Sequence, residues 1–322
     1  MRLNKAHVHI FINGFAIRLI SVGIWLVLFI GCQEIVVNVG NVGTREKPLE
    51  KTGVLKNSEI WSGVVRVTGN VTVPEGSSLT IRPGTIVGFD PITGNHHLVI
   101  FGSFYAEGEQ ERMIKFGSLG TEDDPPEAGD WIGIHIKSTS HNSRIAYCHI
   151  QDATTAIICD SDTAQLEHCL ITGSKSAILC HASPLITQND INKNGTAIKC
   201  VGSISPAIVQ NTIQANEFGI ICDDRARPKI ERNELTNNYQ HAIVCYSSAE
   251  PEILNNNITR NGGWAVYSGG RLRGNFILGN NESDAIERGT GRDSEQFYGV
   301  DEVLEPRSNR VPDAGVQREY NP

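Results

Sequence analysis

The fold is decided by the stretch TAIKCVGSISPAIVQNTIQANEFGIIC, which covers residues 196–222. Lys199 has to face water, so its neighbours Ile198 and Cys200 point the other way, because successive side chains of a strand alternate between its two faces. Gly, Pro and Asn interrupt these alternating runs every few residues, which is typical of turns between short strands. The stretch therefore predicts several short strands, each with one buried face.

The same pattern recurs on both sides of this stretch. A buried aliphatic residue returns at intervals of 19 to 23 residues. These anchor positions are Ile150, Ile171, Ile191, Ile213, Leu235, Ile258 and Ile277. A period of this length is typical of a solenoid whose coils bury their surfaces against one another. A leucine-rich repeat has a similar period, but it needs leucine at the strand positions and a helical convex side, and neither occurs here.

These columns predict an all-β solenoid of parallel strands, with about ten coils of about 22 residues each. In this respect the chain resembles the right-handed, single-stranded parallel β-helix of pectate lyases and related proteins, and most closely the periplasmic copper-maturation (NosD-like) type. The resemblance spans residues 60–281 and implies the fold far more than the activity, because many chemistries share this scaffold. We expect the β-helix over 58–281, a tether and cap over 32–57, and a cap fragment with a polar tail over 282–322.

Composition excludes one class of partner. The chain has 322 residues and a formal net charge of −8. A nucleic-acid surface needs clustered positive charge, so we expect no nucleic-acid partner. Glycine is frequent (32 residues) and Met (2) and Trp (4) are scarce, which favours tight turns over long helices.

The N-terminus resembles an export signal. Residues 1–18 carry Arg2, Lys5 and Arg18 and no acid, and the apolar run 19–30 follows. As a helix this run would span about 18 Å, too short for a bilayer core of roughly 30 Å. Phe29-Ile30-Gly31-Cys32 resembles a bacterial lipobox, although Leu is usual where Phe29 stands. We expect residues 1–31 to be removed and Cys32 to be lipidated, which anchors the protein to the outer membrane; cleavage without lipidation is the alternative.

Two columns of repeated residues have a structural explanation. Inward asparagines satisfy one another when they are stacked in one column of side-chain amides. The predicted asparagine ladder contains Asn189, Asn211, Asn233, Asn256 and Asn275. A second column contains Cys159, Cys180, Cys200, Cys222 and Cys245. We expect these cysteines to be buried free thiols; partial disulfide pairing and soft-metal binding are the alternatives.

Catalytic candidates lie in the turns after the second strand of several repeats. They are Asp160, His181, Asp223, Asp224 and Arg225. By register, Asp160 and His181 lie one coil apart, and Asp223 lies two coils beyond His181, about 10 Å away. These turns suit either an acid/base or calcium cluster or a solvated turn with local ion pairs. Polygalacturonases on this fold also carry Asn-Thr-Asp, Gly-His-Gly and Arg-Ile-Lys motifs, and the chain has only the Asp pair.

Two further patterns suggest ligands. The acidic insertion at 121–130 offers Asp123, Asp124 and Glu127 to calcium, although its two prolines also fit an exposed loop without metal. Phe218, His241 and Trp264 occupy equivalent positions in three consecutive repeats. Such a row either stacks on the sugar rings of a polysaccharide or covers a corner of the solenoid.

Three functions remain open from the sequence. The first is a lipid-anchored, non-catalytic binding or scaffold module for polysaccharide, which needs no cofactor and contacts the membrane only through its anchor. The second is a polysaccharide lyase or glycoside hydrolase that uses the acidic turns, with calcium as a possible cofactor. The third is a periplasmic accessory protein with protein partners. We favour the first, because no catalytic motif is complete.

Overall fold

The computed structural model describes residues 42–281 except Glu46, 92–95 and Glu122. Outside this range it describes only the backbone of five strands, which are His9–Ile12, Phe15–Ile20, Trp25–Ile30, Gln33–Asn38 and Ile286–Glu287. The first four pair in chain order as an antiparallel sheet. Cys32 and most of the predicted tail lie outside the described residues. None of the described residues forms a helix that is long and apolar enough to span a membrane.

The remaining strands form three parallel ladders, named A, B and C here. Ladder A runs through the C-terminal half of Val64–Val73, then His97–Ile100, Gly133–Ile136, Thr155–Cys159, Ser176–Cys180, Thr196–Val201, Phe218–Asp223, Ile243–Cys245, Val266–Tyr267 and Ile286–Glu287. Ladder B runs through the N-terminal half of Val64–Val73, then Ile86–Phe89, Ile114–Ser118, Cys148–Gln151, Leu170–Thr172, Asp190–Asn192, Thr212–Gln214, Glu234–Thr236, Asn257–Thr259 and Phe276–Leu278.

Ladder C runs through Glu59–Trp61, Ser78–Ile81, Ser103–Glu107, Arg144–Ala146, Gln165–Glu167, Leu185–Thr187, Ala207–Val209, Lys229–Glu231, Glu252–Leu254 and Arg271–Arg273. Leu49–Val54 pairs with Val64–Val73 and adds a strand at the N-terminal end, inside the segment expected to be tether and cap. The chain is therefore an all-β parallel solenoid of about ten coils, as the repeats predicted.

The corners of the regular coils use left-handed backbone conformations. Gln188, Gln210, Arg232 and Asn255, which directly precede four of the ladder asparagines, have φ between 54° and 58°. A residue other than glycine loses roughly 1–2 kcal/mol in this conformation. The asparagine that follows each of these corners offsets this cost, because its side chain points inward and forms hydrogen bonds with backbone N–H and carbonyl groups.

The predicted asparagine column is a continuous ladder of hydrogen bonds. Asn211 Oδ1 accepts bonds from the Asn189 backbone N–H (3.0 Å) and from Asn189 Nδ2 (2.9 Å). Asn211 Nδ2 in turn donates to Asn233 Oδ1 (3.0 Å) and to the Ile186 carbonyl (3.0 Å). A second, equivalent ladder contains Asn194, Asn216, Asn238, Asn261 and Asn280. In the regular coils, polar groups at two corners of each coil therefore form hydrogen bonds with the asparagines of the next coil.

The interior between the ladders is filled by aliphatic side chains and by the cysteine column. The seven cysteines in the described part of the chain are buried, and none of them forms a disulfide. Burial raises the pKa of the Cys159 thiol to about 12. A hydrogen bond with the Cys200 thiol, together with burial, likewise raises the pKa of the Cys180 thiol. Thiols in this state pack as small apolar groups, because the reactive thiolate is suppressed.

Candidate functional site

The outer surface of ladder A carries most of the predicted site residues. In its register, Thr196 pairs with Phe218 and Val201 pairs with Asp223. Asp160 and His181 directly follow Cys159 and Cys180, which occupy the same register position on adjacent strands. Because parallel strands keep their register from coil to coil, these residues lie along one strip parallel to the solenoid axis. This strip is called the ladder A surface below.

Asp160 is the centre of a polar cluster at the N-terminal half of this surface. His181 Nδ1 lies 3.0 Å from Asp160 Oδ1, so the predicted neighbours are in contact. On the other side, His135 Nε2 lies 2.8 Å from Asp160 Oδ2, and Lys137 Nζ donates to the same oxygen at 2.7 Å. The sequence interpretation missed His135 and Lys137, although their positions on the preceding coil could have been read from the register.

The surroundings of Asp160 define what it can do. Burial raises the pKa of Asp160, but the hydrogen bonds from Lys137, His181 and His135 outweigh it and lower this pKa to about 2. The carboxylate therefore stays ionised at neutral pH, and it cannot act as a general acid there. It holds His181, whose side chain is 46% exposed, in a fixed orientation toward solvent.

The cluster does not suit a metal ion. Lys137 Nζ lies between Asp160 Oδ2 and His135 Nε2, at 2.7 and 3.1 Å. The ammonium therefore occupies the position that a cation would need, and it repels any second cation. Among the described residues, no group of three or more His, Cys, Asp or Glu is arranged to hold a metal.

Asp223 lies on the same surface but belongs to a separate group. Val201 stands between it and the coil of His181, as the register predicted. Asp223 Oδ1 accepts hydrogen bonds from the Asp224 backbone N–H (2.7 Å) and from Ser247 Oγ (3.0 Å). Asp224 and Arg225 line an open hollow of about 340 Å³ next to it, together with Gly202, Ser203, Ser247 and Ser248. The structure thus does not join the two predicted acidic positions into one catalytic pair.

Aromatic rings cover the C-terminal half of the ladder A surface. The ring centroids of Phe218 and His241 are 6.2 Å apart, and those of His241 and Tyr267 are 5.1 Å apart with nearly parallel planes. Trp264 contributes its backbone N–H, which donates to His241 Nδ1 at 2.8 Å. Tyr267, and not Trp264, therefore carries the ring that stacks on His241. Its outward position could have been read from the register, because Tyr267 continues the column of Lys199, which has to face water.

The acidic insertion is an exposed turn. Asp123, Asp124 and Glu127 are all exposed to solvent. The backbone N–H of Asp124 donates to Thr121 Oγ1 (3.1 Å), and that of Glu127 donates to Asp130 Oδ2 (3.0 Å). These bonds account for the shape of the turn without calcium.

Comparison with known proteins supports the fold. Residues 132–282 match the family model described as a right handed beta helix region. This stretch is a right-handed β-helix. No curated protein and no solved structure shows significant similarity to the chain. The match covers the most regular coils, and because this scaffold hosts many functions, the surface residues decide the function.

Proposed function

We propose that this β-helix is a non-catalytic binding module that holds a polysaccharide along the ladder A surface. The observation that carries the proposal is the row of rings Phe218, His241 and Tyr267, placed on successive coils of one ladder. Strands in a sheet lie about 4.8 Å apart, so each coil advances by this distance along the solenoid axis and contributes one ring to the row. An extended polymer meets this repeated surface along its whole length.

The surroundings of the rings suit a sugar chain. Tyr246, which is 44% exposed, directly follows the ladder A strand Ile243–Cys245 and offers a phenolic hydroxyl next to an apolar ring. Lys199 and His181 add polar groups further along the same surface. Apolar ring surface flanked by hydrogen-bonding groups matches a sugar, whose C–H faces are apolar and whose edges carry hydroxyls.

The polysaccharide lyase or glycoside hydrolase alternative has weaker support. Asp160 stays ionised, so it does not provide the protonated acid that a hydrolase needs. Asp223 already accepts two hydrogen bonds and lies two coils away from His181. The likeness to the copper-maturation type keeps a periplasmic protein partner as the third alternative.

The test combines binding and product formation. The purified protein is incubated with neutral and acidic polysaccharides, with and without calcium, while binding and the release of reducing ends or unsaturated products are recorded together. We expect binding without product, and about a tenfold loss of affinity in Tyr267→Ala. Thr212→Ala, on the outer face of ladder B, is the matched control. Product that disappears in Asp223→Ala would establish the enzyme, and binding to no polysaccharide would contradict the proposal.

We also propose that the protein is exported and lipidated at Cys32. The basic segment, the apolar run and the lipobox-like residues before Cys32 support this placement. Labelling of cells with a radioactive fatty acid tests it: the wild type should carry label in the membrane fraction, and Cys32→Ala should carry none. Label on neither protein would contradict lipidation.

A further inference from the structure

The outer face of ladder C is exposed along most of the solenoid. From Arg144–Ala146 to Arg271–Arg273 each strand has a buried middle residue, so its first and third residues point outward. The register aligns these residues in two columns that also include Ser103–Glu107. The first column contains Tyr105, Arg144, Gln165, Leu185, Ala207, Lys229, Glu252 and Arg271. The second column contains Glu107, Ala146, Glu167, Thr187, Val209, Glu231, Leu254 and Arg273. This surface is called the ladder C face below.

Two neighbouring coils in the middle of the ladder C face carry no charge on it. Leu185 is in register with Ala207, and Thr187 is in register with Val209. Leu185 is 38% exposed, and Ala207 and Val209 are half-buried. The centre of the face is therefore a small apolar patch, which gains stability when a matching surface removes it from water.

The charges on the two sides of this patch are opposite in sum. The N-terminal side carries two carboxylates and one guanidinium, which are Glu107, Glu167 and Arg144. The C-terminal side carries three cations and two carboxylates, which are Lys229, Arg271, Arg273, Glu231 and Glu252. The net charges are therefore −1 and +1. Such a face is complementary in charge to a copy of itself that is turned end to end.

A symmetric arrangement of two copies uses this complementarity. A two-fold axis that runs along the strands, between the coils of Leu185 and Ala207, turns the second copy end to end and keeps each column opposite itself. Leu185 then faces Ala207 of the second copy. By the same count of coils, Arg144 faces Glu252 of the second copy, and symmetry forms this pair twice.

The outer coils also distinguish this arrangement from its alternative. Glu107 faces Arg273 of the second copy. Glu167 faces Glu231 of the second copy, but each of these carboxylates already has a cation of its own copy at 2.6 Å. A two-fold axis along the solenoid would instead place Arg271 over Arg273 of the second copy, where the like charges repel. The end-to-end arrangement is therefore the favoured one.

The shape and area of the ladder C face suit such packing. The asparagine ladder that begins at Asn189 borders the strands of ladder C, and side-chain ladders hold many-stranded sheets flat. The strands of the two columns extend about 38 Å along the axis, and a strand with its corner is about 13 Å wide. One copy therefore buries about 500 Å² and the pair about 1,000 Å², which is near the lower limit for a specific interface.

We propose that a second copy of this chain binds the ladder C face and forms a symmetric dimer with antiparallel solenoid axes. The apolar patch lies at the centre, and an Arg144–Glu252 pair lies on each side of it. Ladder A forms a different side of the solenoid, so the dimer leaves both ladder A surfaces open. We expect a dissociation constant on the order of 10 µM, because a small interface leaves little surplus after the loss of translational and rotational freedom.

The experiment is sedimentation velocity of the purified protein from about 1 µM to about 500 µM, a range that brackets the expected constant. The wild type should change from monomer to dimer over this range. Leu185→Glu buries a carboxylate in the apolar patch and should weaken the dimer by about tenfold or more. Glu252→Arg and Arg144→Glu should each do the same, because each places like charges opposite one another twice. Glu234→Arg, an exposed charge reversal on ladder B, is the matched control and should dimerise like the wild type.

A mixture of the two charge-reversed variants tests the end-to-end geometry. In a dimer with one copy of each, opposite charges again face each other on both sides of the axis. An equal mixture of Glu252→Arg and Arg144→Glu should therefore dimerise within about threefold of the wild-type affinity, although neither variant does so alone. Melting curves establish that both variants are folded at the temperature of the measurement, and Leu185→Glu tests the interface without touching an ion pair.

Three results would overturn the dimer. They are a wild type that stays monomeric at every concentration, a Leu185→Glu variant that dimerises like the wild type, and a mixture of folded charge-reversed variants that stays monomeric. Tyr267→Ala should dimerise like the wild type, because Tyr267 lies on ladder A. Failure of the dimer is therefore distinct from failure of the polysaccharide proposal.

Discussion

Asp160 stays ionised because neighbours from the coils on both sides donate hydrogen bonds to it. His135 and Lys137 lie on the preceding coil, in and directly after the strand Gly133–Ile136, and His181 directly follows the strand Ser176–Cys180 of the next coil. The side chain of Asp160 is only 20% exposed, so solvent screens these interactions less than at the open surface. The cluster therefore contributes to stability and fixes the orientation of two histidines on the ladder A surface.

The pH dependence of Asp160 follows from its lowered pKa. A carboxyl whose folded pKa is about 2, against an ordinary 3.8, stabilises the folded state fully above about pH 4 and loses this contribution between pH 4 and pH 2. Asp160→Asn should therefore lower the free energy of unfolding by about 1–2 kcal/mol at pH 7, after an allowance for screening. The difference from wild type should close as the pH falls to 2, as measured by urea unfolding at several pH values.

The exposed Asp124 provides the control for this series. Asp124→Asn should change the stability by less than about 0.5 kcal/mol at any pH, as is usual for surface substitutions. Equal stability of Asp160→Asn and wild type at pH 7 would show that the cluster contributes nothing to the fold.

At the scale of single coils, the two asparagine ladders decide where the chain turns. Left-handed corners such as Gln210 are followed by an inward asparagine that accepts two hydrogen bonds from the coil before it. In the regular coils the strands of ladders B and C supply only three or four residues each, as in Leu185–Thr187 and Ala207–Val209. Strands this short depend on the corners for their register, because they bury little surface of their own.

Removal of one rung tests the ladder. Asn211→Leu leaves the Asn189 N–H without its acceptor and leaves Asn189 Nδ2 with only the Leu166 carbonyl. The free energy of unfolding should fall by about 2–4 kcal/mol, because one buried donor loses its only acceptor and a second loses one of two. Asn257→Leu, at an exposed position of ladder B, is the matched control and should change it by less than about 0.5 kcal/mol. Equal melting temperatures for Asn211→Leu and wild type would refute the role of the ladder.

At the scale of the whole molecule, each coil contacts only its neighbours. Strands pair with the equivalent strands one coil before and one coil after, as Thr196–Val201 pairs with Ser176–Cys180 and Phe218–Asp223. Stability in such an array is close to a sum of coil terms and nearest-neighbour interfaces. Inner coils have two interfaces, whereas coils near the ends depend more on what covers them.

Amide hydrogen exchange should therefore show a gradient along the axis. We expect the slowest exchange in the strands Ser176–Cys180 and Thr196–Val201, and faster exchange in Leu49–Val54 and Val266–Tyr267, because end coils open with less loss of contact. Exchange followed by mass spectrometry of peptides measures this directly. Equal protection of all coils would mean that the solenoid opens as one cooperative unit.

The sequence by itself determined the strand period, the coil length and the inward columns of Asn, Cys and Ile. These features are local: a strand alternates every two residues, and each coil repeats the same requirement, so the pattern is written into the chain seven times between Ile150 and Ile277. The register also brought Asp160 and His181 together correctly, because parallel stacking carries equal positions to adjacent coils.

Only the tertiary structure decided which side chains meet where the coils are irregular. Lys137 and His135 reach Asp160 across coils whose lengths differ from the regular repeat. Tyr267 takes the place expected for Trp264 because stacking depends on side-chain direction as well as on sequence position. Such contacts depend on loop length and rotamer, which the repeat pattern does not specify.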